Sequence, residues 1–234
     1  MSTDDAGAGT PEGPVIDGED ARVRAFFGDA LPTITAFRAL LAEQGVTRGL
    51  IGPREVGRLW ERHLLNSGAV ARFLPEHGTV ADIGSGGGFP GVVLAAMRPD
   101  LRFVLVESME RRTVWLDEVV DHLGLTNVEV VRARAEDLPA SFRVEAVTAR
   151  AVAPMERLAG WTLPLLTVGG ALLAMKGEQA AEELAAAKDV IDAWGGGHRE
   201  VVVAETVAGV AATGVVRIVR DRDVVPTAKP RRGR

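Results

Sequence analysis

Five glycines, at positions 84, 86, 87, 88 and 91, follow Asp82 in the stretch VADIGSGGGFPGVVLA, residues 80–95. An apolar run ends at Ile83, and a second opens after Phe89-Pro90-Gly91. A loop without side chains lets the backbone come close to a ligand and adopt positive φ. A helix beginning behind such a loop offers unpaired N–H groups. Each glycine costs roughly 0.5–1 kcal/mol relative to alanine, which a ligand site explains better than a plain turn. The ligand should be small and anionic or zwitterionic. Asp82 favours a zwitterion, since a carboxylate suits an ammonium group and would repel a pyrophosphate.

Two ligand chemistries compete for this loop. The dinucleotide pattern G-x-G-x-x-G fails from Gly84, whose sixth position is Phe89. It fits Gly86, Gly88 and Gly91, but two residues late and with Phe89-Pro90 where the helix must pack tightly on the strand. The D-x-G-x-G-x-G loop of S-adenosylmethionine-dependent methyltransferases fits from Asp82 through Gly84 and Gly86 to Gly88, directly at the strand end. Further residues fall in register with a nucleoside. Glu107 ends the next apolar run, where an acid can accept from both ribose hydroxyls. Ala135-Glu136-Asp137 follow the third run and could flank an adenine. Arg150 ends the fourth, at the carboxyl edge.

The chain has 234 residues, 47% hydrophobic and 25% charged, enough for one large domain with a sizeable core. Cysteine is absent, which excludes disulfides, thiolate metal sites and a cysteine nucleophile. The four histidines, His63, His77, His122 and His198, share no metal-ligand spacing. No apolar run approaches the roughly 20 residues of a membrane span. The acidic, small-residue-rich start is unlike a signal peptide, so a cytoplasmic protein without a membrane partner is expected. Net charge is -5, but it is unevenly spread. Residues 1–20 carry six acids and no base, whereas Arg217 to Arg234 carry seven bases against two acids. Arg48, Arg54, Arg58, Arg62 and Arg72 face only Glu55 and Glu61 in their segment. Local patches set phosphate affinity, so nucleic acid remains possible.

The positioning elements follow from periodicity. Residues 1–18 read as a disordered tail and 223–234 as a basic, flexible one. Residues 19–75 read as a helical extension, with Leu31, Ile34, Phe37, Leu40 and Leu41 at helical spacing up to Gly45. A second helix is predicted from Pro53, with Val56, Leu59, Trp60, Leu64 and Leu65 on one face. From 76 to 222 short β-branched runs alternate with helical stretches, giving seven strands, the last two a hairpin. This predicts an α/β domain with a mostly parallel sheet and helices on both faces. Trp60, Trp115, Trp161 and Trp194 sit at helical spacing and are assigned to the core rather than to base stacking. Nothing suggests a large exposed apolar stripe, so a monomer is expected.

The segments RHLLNS (62–67), ADIGSGGGFPGVVLA (81–95), LVESMERRTVWL (105–116), RARAEDL (132–138), ARAVAPM (149–155) and AMKG (174–177) occur in an order and spacing that resemble one family. It is the RsmG, or GidB, family of bacterial 16S ribosomal RNA guanine-N7 methyltransferases, and the resemblance covers about residues 35–220. The resemblance implies a class I, Rossmann-like fold, S-adenosyl-L-methionine as cofactor, and 16S ribosomal RNA or the small ribosomal subunit as partner. It implies cofactor contacts at Gly84, Phe89, Ala135, Glu136 and Arg150. Many members carry Asn-Leu-Thr-Ser where this chain has Gly49-Leu50-Ile51-Gly52, which removes polar groups near the expected target pocket. Arg150 and Lys176 are expected near the target nucleotide, with Arg62 and His63 as further candidates. No general base is assigned. Guanine N7 carries a free lone pair, while pyrimidine C5 methylation generally needs a cysteine. An acceptor of another class, small molecule or protein, and a non-catalytic ribosome-assembly role stay open on sequence alone.

Overall fold

The computed structural model describes residues 16–224. Most of each tail that the sequence sets apart, 1–15 and 225–234, lies outside the described residues. Seven strands form one sheet: β1 Thr79–Ile83, β2 Arg102–Glu107, β3 Val128–Arg132, β4 Val144–Arg150, β5 Leu166–Lys176, β6 Gly196–Ala204 and β7 Thr213–Arg220. Their order is β3-β2-β1-β4-β5-β7-β6. β1 to β5 pair in parallel, β7 inserts antiparallel beside β5, and β6 closes the edge against β7. The order reverses direction between β1 and β4. Ligands of such sheets bind outside the strands' carboxyl ends at that point.

Strand residues alternate between two covered faces, as a sheet buried on both sides requires. Ala81, Ile83, Val104, Val106, Val147 and Ala149 face the helices Met155–Thr162 and Lys188–Ala193. Val80, Phe103, Ala146 and Leu173 face the opposite way, toward Leu94 and Ala95 of the Gly91–Met97 helix. The N-terminal helices Ala21–Phe27 and Leu31–Gln44 join that second side. Phe27, Ile34, Phe37 and Leu41 pack with Phe89, Val92, Leu105 and Trp115. Burying each such side chain contributes about 1.5–3 kcal/mol, so these helices are anchored to the sheet by apolar contact. The helical run Ala21–Gln44 is long and apolar enough by composition to cross a membrane. This corrects the expectation that no run approaches that length. Its most apolar side chains are nonetheless spent on the shared core.

Two helices depart from their sequence pattern. The segment from Pro53 is not one α-helix but a 3-10 stretch Pro53–Arg58, a π-helix Leu59–Leu65, and a further short α and 3-10 run to Phe73. The buried pairs Leu59/Leu64 and Trp60/Leu65 are five residues apart, the spacing of a widened turn. The helical stretch over 180–193 is interrupted at Ala187, and Gly196 and Gly197 already belong to β6.

Candidate functional site

The glycine loop leaves the carboxyl end of β1 and bends back under its own hydrogen bonds. Gly88 N–H donates to the Ser85 carbonyl at 2.7 Å, and Gly84 N–H to the Val106 carbonyl at 2.8 Å. Gly84, Gly86 and Gly88 have φ of 71°, 55° and 105°, where side chains are strained. Next to this loop opens a cleft of about 390 Å³, at the carboxyl ends of β1, β2 and β3. Gly84, Glu107, Ala135 and Glu136 line it, together with Ile83, Val106, Arg134, Val152, Arg157 and Trp161. Its volume is in the range of small-molecule sites.

Glu107 is held rigidly. Its Oε2 accepts from Gly86 N–H at 3.1 Å and its Oε1 from Met109 N–H at 2.9 Å, with Arg112 Nη1 3.5 Å away. Gly86 therefore serves the cleft through its amide. The buried carboxylate keeps lone pairs for a ligand's hydroxyls. A Cβ at Gly86 would have no heavy atom nearer than 3.7 Å, so the space beside it is open for a ligand.

Asp82 lies behind the loop. Its carboxylate is fully buried, with Oδ1 accepting from the Thr148 hydroxyl at 2.8 Å and Oδ2 from Gly91 N–H at 3.1 Å. Burial pushes its carboxyl up to about 6, against the hydrogen bonds of Thr148, Ser85 and Gly91. It clamps β1 to β4 and to the Gly91–Met97 helix, and does not line the cleft. Gly88 also turns away: a Cβ there would meet Phe37 Cζ and Val92 Cγ2 at 2.8 Å. Phe89 lies against Phe37, His63 and the Arg150 guanidinium, at 5.4, 5.0 and 5.6 Å between ring centres or from ring to guanidinium.

Arg150 and Lys176 belong to a second cleft of about 380 Å³, at the ends of β4 and β5. Arg150 Nη2 donates to the Arg62 carbonyl at 2.8 Å, while its buried Nη1 has no partner among the described residues. The next residue, Ala151, has φ 54°, a left-handed value that costs a non-glycine residue of order 1 kcal/mol or more. His63 Nε2 lies 2.8 Å from Glu55 Oε2. Burial, then the charge of Arg150, lowers the His63 pKa, so the neutral ring donates its Nε2–H to the Glu55 carboxylate. Arg62 joins them, 3.5 Å from Glu55 Oε1. Leu50 approaches Gly87, so part of the departing Gly49–Gly52 stretch packs on the glycine loop.

Sequence reasoning missed Val152, Arg157 and Trp161 as cleft residues. Trp161 packs on the core, as its spacing predicts, and also lines the cleft. The signal was available: Arg157 and Trp161 are four apart on the helix after β4, and the guanidinium lies 5.8 Å from the ring centre.

The sequence profile of the family GidB, described as rRNA small subunit methyltransferase G, matches residues 30–208. A protein named ribosomal RNA small subunit methyltransferase G from Nocardioides sp. is 50% identical over 233 residues, covering 98% of this chain and 91% of its own length. One of the same name from Thermobifida fusca is 56% identical over 165 residues, 70% of each chain. Among solved structures, M. jannaschii TYW2 in complex with AdoMet is 19% identical, with TM-score 0.53 over 67% of this chain and 74% of its own. A SAM-dependent methyltransferase from Aquifex aeolicus is 18% identical, with TM-score 0.52 over 75% of this chain and 97% of its own. These two likenesses show a shared Rossmann-like fold.

Proposed function

The chain belongs to the GidB family of rRNA small subunit methyltransferases, and from that premise we propose that it transfers a methyl group from S-adenosyl-L-methionine to N7 of a guanine in 16S ribosomal RNA. The observation that carries the cofactor half is the first cleft, where a side-chain-free loop faces a rigidly held Glu107. The residues fit the group. Gly86 leaves open space, Glu107 offers acceptors to a ribose, and Ala135 and Glu136 stand where an adenine would lie. When bound, S-adenosylmethionine supplies a methyl group activated by its sulfonium.

The chain's own task is then alignment. Methyl transfer needs nucleophile, methyl carbon and leaving sulfur in line, which proximity and orientation supply. Arg150 lines the second cleft, and its Nη1, without a partner among the described residues, is suited to hold the target base or its phosphate. Guanine N7 carries a free lone pair and needs no proton removed before attack, so the transfer calls for no general base. The target guanine must be accessible or extruded from the RNA. The reaction would take place in the cytoplasm on ribosomal RNA or the assembled small subunit.

The test is transfer of labelled methyl from S-adenosylmethionine to unmodified small-subunit RNA, small subunits, transfer RNA and bulk protein, followed by nucleoside analysis. Label recovered as 7-methylguanosine from small-subunit RNA is expected. Label in another nucleoside or in protein would overturn the acceptor, and no label at all would overturn the activity.

A further inference from the structure

The loop 151–153 divides the two clefts: Val152 lines the first and Ala151 the second. Against that loop, in the wall of the second cleft, lies an ion pair that the proposed transfer does not yet use. Lys176 Nζ donates to the Ala153 carbonyl at 2.6 Å and to Glu183 Oε2 at 2.7 Å. Glu183 Oε2 also accepts Met155 N–H at 2.8 Å. The hydrogen bond from Lys176 holds the Glu183 carboxyl below its usual range.

Their remaining valences can be counted. An ammonium has three donors, and two are taken, leaving one. Glu183 Oε1 makes no hydrogen bond among the described residues, and the side chain is 30% exposed. The wall of the cleft thus offers one fixed donor beside one fixed acceptor. Lys176 is 10% and Glu183 30% exposed, so the pair presents its remaining valences from the cleft wall. Guanine presents an acceptor, O6, beside two donors, N1–H and the N2 amino group. Adenine presents the opposite order, an amino donor beside an N1 acceptor.

We infer that Lys176 and Glu183 form the subsite that reads the Watson–Crick edge of the target guanine, Lys176 donating to O6 and Glu183 Oε1 accepting from N1–H and the N2 amino group. The inference rests on the guanine-N7 reading proposed above. A base held by O6, N1 and N2 keeps N7 unengaged. As the methyl carbon leaves sulfur and bonds to N7, positive charge passes from the sulfonium to the purine. The N1 proton stays on the base and becomes more acidic, so its bond to the carboxylate strengthens. Glu183 therefore favours the transition state over the ground state.

The experiment compares RNA carrying the target guanine with RNA carrying inosine, which lacks the N2 amino group, at the position mapped by labelling. Wild type is expected to prefer guanine roughly 10-fold in kcat/KM, the loss of one hydrogen bond to a charged acceptor. Glu183→Gln keeps an oxygen for Met155 N–H but loses the charge. It should lower methylation of guanine by about 100-fold and flatten the guanine-to-inosine preference, leaving cofactor affinity unchanged by calorimetry. A variant that keeps the wild-type preference overturns the inference, as does a wild type that methylates guanine and inosine equally. Absence of 7-methylguanosine from the wild-type reaction would instead sink the proposed reaction, and this subsite with it.

Discussion

Arg150 carries a cost that its local contacts do not offset. Its Nη1 is buried without a partner among the described residues, a state worth about 1–3 kcal/mol of desolvation. Burial accordingly lowers its pKa. A ligand that takes this donor would relieve the cost at the moment of binding. Arg150→Ala should therefore reduce methyl transfer by about 100-fold or more, while shifting unfolding free energy by less than about 1 kcal/mol, since it removes the unsatisfied donor along with the packing on Phe89. Wild-type turnover in that variant would remove Arg150 from the site. Asp82 supports a different test. Its carboxyl is raised from 3.8 to about 6, so the folded state binds this proton more tightly than the unfolded chain. Between those values stability must fall as pH rises, by up to about 3 kcal/mol, with the loss complete above the folded-state pKa. Asp82→Asn lacks the titration. The difference in urea-unfolding free energy between wild type and Asp82→Asn should decline from pH 4 to pH 6 and then level. A flat difference would mean that the carboxyl is not shifted.

At the scale of elements, the glycine loop divides its labour. Gly91 starts the helix behind the loop, and a Cβ there would meet Leu105 Cδ2 at 2.4 Å and Asp82 Oδ2 at 2.7 Å. Gly91→Ala must push strand and helix apart and should cost about 1–3 kcal/mol in urea unfolding. Gly86 has room for a side chain but sits at φ 55° and beside the cleft. Gly86→Val should weaken cofactor binding more than it weakens the fold, and unchanged affinity by calorimetry would move the site elsewhere. The strands were legible because period-2 apolar runs ending in Gly, Glu or Arg have few alternatives. Their parallel pairing followed from the helices between them. The π-helix Leu59–Leu65 was not legible, because its five-residue spacing shares Leu59, Trp60, Leu64 and Leu65 with an ordinary amphipathic helix. Glu107, Ala135 and Glu136, read from their positions after strands, line one cleft. Motif spacing gives Asp82 its position along the chain but not the direction of its side chain. Here Thr148, 66 residues away, captures the carboxylate.

Across the whole molecule, the N-terminal helices are packed into the site rather than appended to it. Phe37, on Leu31–Gln44, lies where a Cβ at Gly88 would meet its Cζ at 2.8 Å, and its ring is 5.4 Å from that of Phe89. Phe89 in turn carries the Arg150 guanidinium, 5.6 Å from its ring centre. A helix remote in sequence thus sets the floor beneath both the glycine loop and the arginine. Two residues in direct contact should not contribute independently. Phe37→Ala alone should cost about 3–5 kcal/mol through the cavity it leaves. Gly88→Ala alone should cost through both the clash and the left-handed φ of 105°. In the Phe37→Ala background the clash is gone and only the backbone strain and Val92 remain. The cost of Gly88→Ala should then fall by about 1 kcal/mol or more in a double-mutant cycle followed by urea unfolding. Strict additivity would mean that the loop is indifferent to the helix beneath it, and the N-terminal helices would have to be regarded as a cover rather than as part of the site.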